Sequence, residues 1–443
     1  MPRGVSRCFE SLHLTQFSDF GLAAPVLKAL EEAGYTRPTP IQAQAVAPAM
    51  EGRDLCGIAQ TGTGKTAAFA LPILHRLSLN RRPAPRRGCR VLVLSPTREL
   101  ASQIADSFSD YGKHLPFTNT VVFGGVTLSR QERAVAPGVD ILVATPGRLI
   151  DLVDRRALTL EGVEILVLDE ADQMLDLGFI HALKRIVRML PSKRQSLFFS
   201  ATMPRNIAEL AGQYLRDPVQ VAVTPVATTA ERVAQQVIFA HTGAKQALLN
   251  HLLRDPAIER VLVFTRTKHG ADRVVRGLDK AGVAASAIHG NKSQPQRERA
   301  LAAFKDGSCR VLVATDIAAR GIDVEAVSHV VNYDLPNVPE SYVHRIGRTA
   351  RAGAGGIAIS FCNDEERAYL RDIERLTRQK VPVLGFPDGF VPPTRQEAAE
   401  TAADEARRPP RQPHGRPGHR ARAGGDPTGV HELQLPDLLR NRI

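Results

Sequence analysis

The feature that most constrains this chain is one glycine-rich stretch, Ala59-Gln60-Thr61-Gly62-Thr63-Gly64-Lys65-Thr66. An apolar run, Leu55 to Ile58, precedes it, and an Ala/Leu-rich pattern with helical spacing follows from Ala67 to Leu77. Strand, glycine loop and helix in this order predict a phosphate-binding loop, because backbone N–H groups and the positive end of the helix converge on one point. Lys65 can then reach the β- and γ-phosphates of a nucleotide, and the Thr66 hydroxyl can hold Mg²⁺. The competing interpretation is an ordinary strand-to-helix turn.

A second buried strand, Glu164 to Leu168, ends in the acidic stretch Asp169-Glu170-Ala171-Asp172. Downstream of a phosphate-binding loop, an acidic pair at a strand end is the expected second half of an ATPase site. Asp169 can hold Mg²⁺ through its water shell, and Glu170 can orient and polarise an attacking water. The alternative is a solvated helix N-terminus whose acidic residues interact favourably with the helix dipole.

Composition sets the class of the protein and of its partner. The 443 residues exceed one ordinary hydrophobic core, so we expect two or three domains. A formal net charge of +12 favours an acidic partner, nucleic acid first, although a merely basic protein also fits the charge. The five cysteines lack C-x-x-C spacing, which argues against a zinc site or a disulfide framework and favours a reducing compartment. We find no membrane-spanning apolar run and no signal-peptide pattern in residues 1–18, so we expect a soluble, cytoplasmic protein.

Three further apolar runs each end in a turn that suits a sugar-phosphate chain. Arg90–Leu94 ends in Ser95-Pro96-Thr97-Arg98, Val121–Phe123 ends in Gly124-Gly125, and Asp140–Ala144 ends in Thr145-Pro146-Gly147-Arg148. Ligand groups collect at the carboxyl ends of strands in open α/β sheets, and backbone N–H groups, hydroxyls and arginines bind phosphates. Each turn alone is an ordinary loop, but three of them on one sheet predict a continuous groove. A fourth strand, Gln195–Phe199, ends in Ser200-Ala201-Thr202.

The stretch from Gly34 to Gln42 contains two prolines that hold a short extended segment just ahead of the glycine-rich loop. The Gln42 amide can pair with the donor and acceptor edges of an adenine, and an aromatic ring can stack on its face. Alone, this stretch would be a turn into a helix. Its position before a phosphate-binding loop favours base recognition.

A second α/β pattern follows Pro218 to Glu231, a stretch that loses its periodicity and indicates a linker between domains. The predicted strands are Arg260–Phe264, Ala285–Ile288, Arg310–Ala314, His329–Tyr333 and Ile357–Phe361. A helical pattern, Ser293 to Phe304, follows the second of them and carries Gln294 and Arg297 on one face. No second phosphate-binding loop appears, so we do not expect this half to hold ATP alone.

Arg345, Arg348 and Arg351 recur at helical spacing and would share one helix face. Arginines delivered across a cleft to a γ-phosphate accelerate phosphoryl transfer by roughly 10³–10⁵ in known systems. The alternative is a cationic surface helix that binds nucleic acid non-specifically, and this pattern alone supports both about equally.

The composition changes again after Pro382. Asp404 to Gly425 is rich in Arg, Pro and Gly, which predicts a disordered basic tail. Such a tail suits phosphate backbones without sequence preference, or it is an inert solubilising extension. A short apolar segment, Leu433 to Leu439, is a candidate docking segment.

Together these motifs resemble the DEAD-box family of ATP-dependent RNA helicases, within helicase superfamily 2, from about Phe17 to Val381. The acidic stretch, Ser200 to Thr202 and the arginine helix occur in the order of that family. Ala59 at the first glycine position is normal for the family, whereas Ala350 stands where many members have glycine.

The stretches Phe264–Gly270 and His289–Gln294 look most like the bacterial RhlE-like branch.

The resemblance implies two tandem RecA-like domains of the P-loop NTPase type, with ATP and RNA bound in and across their cleft. It implies adenine contacts from Phe17, Tyr35, Arg37 and Gln42, and phosphate contacts from Ala59, Gln60, Thr61, Gly62, Thr63, Gly64, Lys65 and Thr66. From the second domain it implies Asp323 at the ribose and Arg348 and Arg351 at the γ-phosphate.

For catalysis the resemblance implies Lys65, Asp169, Glu170 and the two arginines, with His344 paired to the acidic stretch and Mg²⁺ held by Thr66 and Asp169. Ser200, Ala201 and Thr202 would couple hydrolysis to strand separation. The implied RNA contacts are Pro96, Thr97, Arg98, Gly125, Thr145, Gly147, Arg148, Arg266, Arg297 and Thr315.

The expected organisation is an N-terminal extension (1–15), an ATP-binding domain (16–222), a linker (223–231), a second domain (232–382) and a basic tail (383–443). ATP and RNA would each contact both domains and so favour closure, which would unpair a short duplex locally before hydrolysis resets the cycle. A DNA-directed translocase and an ATP-gated RNA clamp or remodelling scaffold are the alternatives. We expect a monomer, with ribosome-assembly or RNA-decay proteins as candidate partners.

Overall fold

Apolar strands alternate with amphipathic helices along the chain, and they build two parallel sheets of seven strands each. The computed structural model describes residues 16–60, 62–223, 233–319, 324, 327–349 and 356–394. We call residues 16–223 the first lobe and residues 233–394 the second lobe. The predicted α/β class with two tandem parallel sheets is confirmed.

The first lobe begins with a 3₁₀ turn, Phe17–Phe20. Its strands are β1 (Leu55–Ile58), β2 (Cys89–Leu94), β3 (Asn119–Val122), β4 (Val139–Ala144), β5 (Ile165–Leu168), β6 (Gln195–Ser200) and β7 (Val219–Ala222). Its helices are α1 (Ala24–Glu32), α2 (Pro40–Met50), α3 (Lys65–Leu79), α4 (Arg98–Tyr111), α5 (Leu128–Val135), α6 (Pro146–Asp154), α7 (Ala171–Asp176), α8 (Ile180–Met189) and α9 (Arg205–Tyr214). The order across the sheet is β3-β4-β2-β5-β6-β1-β7.

The second lobe repeats this plan. Its strands are β8 (Val233–Phe239), β9 (Val261–Thr265), β10 (Ala285–Ile288), β11 (Val311–Thr315), β12 (His329–Asn332), β13 (Gly356–Cys362) and β14 (Val383–Leu384). Its helices are α10 (Lys245–Leu252), α11 (Lys268–Lys280), α12 (Gln294–Lys305), α13 (Asp316–Ala319), α14 (Pro339–Ile346) and α15 (Arg367–Thr377). The order is β10-β11-β9-β12-β13-β8-β14, which is the strand permutation of the first lobe.

The strands read as continuous apolar runs because helices cover both faces of each sheet. In β2, Val91 and Val93 belong to one core cluster, whereas Leu92 and Leu94 belong to the cluster on the opposite face. This alternation follows from the two-residue repeat of a strand. Within the described ranges, none of the helices has the length and apolar character needed to cross a bilayer.

Two sequence-based assignments require correction. The aperiodic stretch from Pro218 contains a strand, because Val219–Ala222 pairs in parallel with β1. The tail assignment is wrong for residues 383–394, since Val383 and Leu384 pair with β8 and Phe390 packs against the core. Both segments are too short to show a periodic pattern, and their pairing partners lie far away in the sequence. Residues 224–231 of the predicted linker and 395–443 of the predicted tail lie outside the described residues.

Candidate active site

The glycine-rich loop connects β1 to α3 in the conformation that its glycines permit. Gly62 and Gly64 have φ values of 84° and 91°, in the left-handed region where a side chain is strained. A Cβ at Gly64 would lie 2.4 Å from Gln42 Nε2 and would force the Gln42 side chain to move. The Thr63 hydroxyl donates to the Gln60 carbonyl at 2.7 Å and closes the turn. Helix α3 begins at Lys65, which places its N-terminus at the loop as predicted.

Lys65 and Asp169 form the charged centre of the site. Lys65 is 5% exposed, and its Nζ lies 4.0 Å from Asp169 Oδ1. Among the described residues, this ammonium has no hydrogen-bond acceptor. Burial raises the pKa of Asp169 above its ordinary value, while the nearby Lys65 charge opposes that rise. A buried cation with one distant counter-ion is costly unless an anion completes its shell, so the donor set fits the phosphates of a nucleotide.

The acidic turn after β5 is strained and is tied to the turn after β6. Glu170 is 2% exposed and adopts a left-handed conformation (φ 53°, ψ 52°), which is uncommon for a residue other than glycine. Asp172 accepts hydrogen bonds from the backbone N–H and the hydroxyl of Thr202, both at 3.0 Å. The Ala59 N–H donates to the Ser200 carbonyl at 3.0 Å. The glycine-rich loop, the acidic turn and the Ser200–Thr202 turn therefore form one connected unit.

The predicted adenine contacts occupy different environments. The buried Gln42 amide accepts from the Thr39 N–H at 2.8 Å and donates to the Gly64 carbonyl at 3.1 Å. Each end of an amide has further bonding capacity, so this link to the loop is compatible with base recognition. Phe17 is buried and packs on Phe20, whereas Tyr35 is 45% exposed.

Arg37 is exposed. The Tyr35 ring meets the buried Tyr111 ring edge-on, with centroids 6.1 Å apart. Burial raises the pKa of Tyr111, and the neighbouring Tyr35 contributes to that rise.

The second lobe meets the Ser200–Thr202 turn across a cavity of about 220 Å³. The wall residues include Gln60, Ala201 and Thr202 from the first lobe and His344 and Arg348 from α14 and the turn after it. Arg348 is 6% exposed, and its Nε donates to the His344 carbonyl at 3.3 Å. The predicted residues Thr61, Asp323 and Arg351 lie outside the described residues.

The expectation that Arg345 shares the role of Arg348 is wrong. Arg345 is 1% exposed, pairs with both carboxylate oxygens of Asp316 and donates to the Asp334 carbonyl at 2.6 Å. Its guanidinium also lies over the Phe264 ring. The helical spacing does not hold through this stretch, because α14 ends at Ile346 and Arg348 lies in the turn after it. Arg345 faces the interior of its own lobe.

The predicted RNA contacts of the first lobe follow β2, β3 and β4, which are neighbours in the sheet. Thr97 and Thr145 are the N-cap residues of α4 and α6, and Thr97 Oγ1 accepts from the Leu100 N–H at 3.3 Å. The Arg98 side chain lies directly over Gly125, where a Cβ would fall 2.1 Å from Arg98 Nη1. Arg148 is held by α5, and Gly147 is exposed whereas Pro96 is buried. The three turns therefore form the adjacent set that the sequence predicts.

In the second lobe, Arg266 and Thr315 lie at the carboxyl ends of neighbouring strands. Thr315 pairs in register with Thr265 of β9, and Arg266 follows that residue directly. Arg297 instead makes an ion pair with Glu99 of the first lobe, with Nη2 2.8 Å from Oε2. Arg98 donates to Gln294 at 3.4 Å beside it. The two lobes thus meet at the predicted RNA side as well as at the cavity.

Comparisons with known proteins agree with this arrangement. Residues 39–210 match the DEAD/DEAH box helicase family, and residues 244–353 match the helicase conserved C-terminal domain. The ATP-dependent RNA helicase CshA of Listeria monocytogenes is 43% identical over 376 residues, which cover 84% of this chain and 71% of the relative. The chain belongs to the DEAD-box helicase family. As a member it is an RNA helicase and an ATP hydrolase, while the finer RhlE-like assignment stays a prediction.

Two solved structures are similar to this DEAD-box helicase. S. cerevisiae Dbp5 bound to RNA and ADP BeF3 is 30% identical, covers 88% of this chain and 99% of its own, and superposes with a TM-score of 0.75. A variant of the same yeast protein bound to Nup159, Gle1, IP6 and ADP is 28% identical. The match covers 87% of this chain and 100% of the yeast chain, with a TM-score of 0.58.

Several residues of the helicase site were not assigned a role from the sequence. Glu99 lies in the first turn of α4, where a carboxylate interacts favourably with the helix dipole. The sequence therefore gives no reason to expect a further role for it. Gln131 stands on the same face of α5 as Leu128 and Val135, and a polar residue at a core position is a signal that the sequence does contain. Tyr111 and Asp172 have partners that are distant in the chain, so no local pattern marks them.

Proposed function

We propose that this DEAD-box helicase separates short RNA duplexes locally by closing its two lobes around ATP and RNA. The observation that carries the proposal is the cavity where Gln60 and Thr202 of the first lobe face His344 and Arg348 of the second. Thr202 is bonded to Asp172 of the acidic turn, so the same residue connects the hydrolytic centre and the lobe boundary. A change at the phosphates can therefore be transmitted to the packing of the lobes.

ATP is proposed to bind the first lobe through its phosphates and its base. The loop Ala59 to Thr66 surrounds the phosphates, with Lys65 supplying the buried ammonium. Tyr35, Arg37 and Gln42 recognise adenine, and Phe17 supports their segment, because its N–H donates to the Thr36 carbonyl at 3.3 Å. Asp323 contacts the ribose in this proposal.

Hydrolysis is assigned to Asp169 and Glu170 together with Arg348 and Arg351. Thr66 and Asp169 would hold Mg²⁺, which would neutralise charge at the phosphates when bound. Glu170 orients the attacking water and accepts its proton; its side chain is buried, and its backbone has the strained left-handed conformation. The arginines stabilise the charge that develops on the transferred group, and His344 orients the acidic turn.

RNA is proposed to bind by its backbone along the turns after β2, β3, β4, β9 and β11. The contacting groups are backbone N–H, threonine hydroxyls and the arginines Arg98, Arg148 and Arg266 of these turns, together with Arg297 of α12, which follows β10. Backbone contacts predict little sequence preference and a strong dependence on salt. The higher TM-score to the RNA- and ADP BeF3-bound form of Dbp5 supports the view that this lobe arrangement is the RNA-bound one. We further propose a cytoplasmic monomer, with ribosome-assembly or RNA-decay proteins as partners.

The test is steady-state ATP hydrolysis measured without nucleic acid, with single-stranded RNA and with DNA of matching sequence. Stimulation by RNA alone supports the proposal. Equal stimulation by DNA would favour the translocase, and stimulation by neither, with ATP still bound, would favour the clamp.

Two variants test the assigned roles. Glu170→Gln should bind ATP but lose turnover, and normal turnover would remove Glu170 as the base. Arg348→Ala should lower kcat by about 10³-fold or more while ATP affinity changes little. Equal losses in binding and hydrolysis would contradict the finger role.

A further inference from the structure

Arg148 is anchored on its inner side by one buried glutamine of α5. Arg148 Nη1 donates to Gln131 Oε1 at 2.7 Å and to the Val126 carbonyl at 3.1 Å. The nearest carboxylate, that of Asp151, is 62% exposed and lies 3.6 Å from Nε. A surface carboxylate at that distance contributes little, so Gln131 and the Val126 carbonyl determine where this guanidinium lies.

Gln131 also holds the turn that follows β3. It is 6% exposed, and its Nε2 donates to the Phe123 carbonyl at 3.1 Å. Phe123 and Val126 bracket the Gly124-Gly125 turn, over which the Arg98 side chain lies. One amide therefore connects the turn after β3 to the arginine that follows β4.

We propose that Gln131 is a positioning residue for RNA binding, which holds Arg148 and the Gly124-Gly125 turn in the orientation that the RNA backbone requires. An amide suits this role because it accepts from Arg148 with one atom and donates to Phe123 with the other without cancelling the arginine charge. Fixing a long arginine side chain costs about 1.5–2 kcal/mol in rotamer entropy. Because Gln131 already fixes Arg148 in the folded protein, RNA binding does not have to order this side chain. The inference rests on the proposed RNA role of Arg148.

The test compares Gln131→Leu and Gln131→Glu by the RNA concentration that gives half-maximal ATPase activity. Gln131→Leu removes both hydrogen bonds in a site that accepts an apolar side chain. We expect the half-maximal RNA concentration to rise about tenfold, while kcat at saturating RNA falls by less than twofold. The slope of log affinity against log salt should stay at its wild-type value, because Arg148 keeps its charge.

Gln131→Glu should behave differently, because a carboxylate neutralises Arg148 and repels the Phe123 carbonyl. Here the salt slope should fall by about one, as it should for Arg148→Ala, since each variant removes one phosphate-facing charge. Gln246→Leu is the matched control: this half-buried glutamine donates to Asn250 within α10, and the variant should leave RNA affinity unchanged.

A double-mutant cycle separates positioning from a general structural role. In the Arg148→Ala background, Gln131→Leu should cause no further loss of RNA affinity, whereas independent, additive losses would overturn the inference. A wild-type RNA response in Gln131→Leu would also overturn it. If Arg148→Ala itself leaves RNA affinity and the salt slope unchanged, Arg148 does not contact RNA. That outcome contradicts the proposed function at Arg148 and is distinct from a failure of the positioning role of Gln131.

Discussion

Two buried lysines occupy matching positions in the two lobes and have opposite surroundings. Lys65 begins α3 after β1, and Lys245 begins α10 after β8, the strand that holds the same place in the second sheet. Lys245 is 1% exposed, donates to the Tyr333 carbonyl at 2.8 Å and lies 2.7 Å from Glu366 Oε2. Lys65 is nearly as buried, yet among the residues that the structure describes its one charged neighbour within 4.0 Å is the Asp169 carboxylate.

The difference shows how one topology supports two roles. Glu366 is fully buried and also accepts from the N–H groups of Leu335 and Asn363 at 3.1 and 3.0 Å, so the Lys245–Glu366 pair is satisfied within the second lobe. Burial of an ionic group is tolerated when hydrogen bonds complete its shell. In the first lobe, a ligand is needed to complete the hydrogen bonds of Lys65. In the second lobe, protein groups complete those of Lys245 and so stabilise the fold.

The largest expected effects come from changing each lysine to methionine. Lys65→Met should lower kcat/KM for ATP by about 10²–10³-fold or more, because it removes a preorganised cation at the phosphates. Its urea midpoint should change little, since the ammonium loses no hydrogen bond. Lys245→Met should instead lower the free energy of unfolding by about 3 kcal/mol, because Glu366 loses one of its two cations while Arg266 remains 3.1 Å away.

Urea denaturation and ATP titrations on both variants check this contrast. The opposite result would be a strongly destabilised Lys65→Met variant and a stable Lys245→Met variant with impaired catalysis. It would mean that Lys245 serves the ligand and Lys65 serves stability.

An intermediate effect is expected at the ion pair between the lobes. Arg297→Glu places two carboxylates opposite each other across the lobe boundary, and both wild-type side chains are largely buried there. We expect RNA-stimulated kcat/KM to fall about tenfold or more, the usual scale of a coupling between sites, with little change in the RNA-free rate.

The reversed pair Glu99→Arg with Arg297→Glu should recover part of that loss. Recovery should be incomplete, because a cation in the first turn of α4 opposes the helix dipole. No recovery at all would mean that the two side chains act independently on RNA rather than on each other.

The smallest effect is expected on the adenine side. Tyr111 supports the exposed Tyr35 edge-on, and aromatic pairs of this kind contribute about 0.5–1.5 kcal/mol. Tyr111→Leu should therefore raise the KM for ATP by about two- to tenfold and leave kcat unchanged. Tyr111→Phe, which retains the ring, is the control and should lie closer to wild type. A fall in kcat without a change in KM would show that Tyr111 does not act through base recognition.

The sequence determined the local features of this protein. The glycine loop between strand and helix, the acidic turn after β5 and the hydroxyl-bearing turns after β2 and β4 all appear where the residue patterns predict them. These features depend on residues that are close in the chain: an apolar run, glycines at positive φ and a helix that begins at Lys65. The α/β class follows from the same alternation of strand and helix patterns.

Only the tertiary structure decided which charges remain for ligands. Arg345 and Arg348 are three residues apart, yet one pairs with Asp316 inside its lobe and the other lines the cavity between lobes. The charged partners of Gln131, Glu99 and Lys245 are likewise distant: Arg148, Arg297 and Glu366 lie 17 to 198 residues away in the sequence. Spacing along a helix predicts which side chains share a face, but the group that lies opposite is set by the strand order, which brings distant turns to one edge of the sheet.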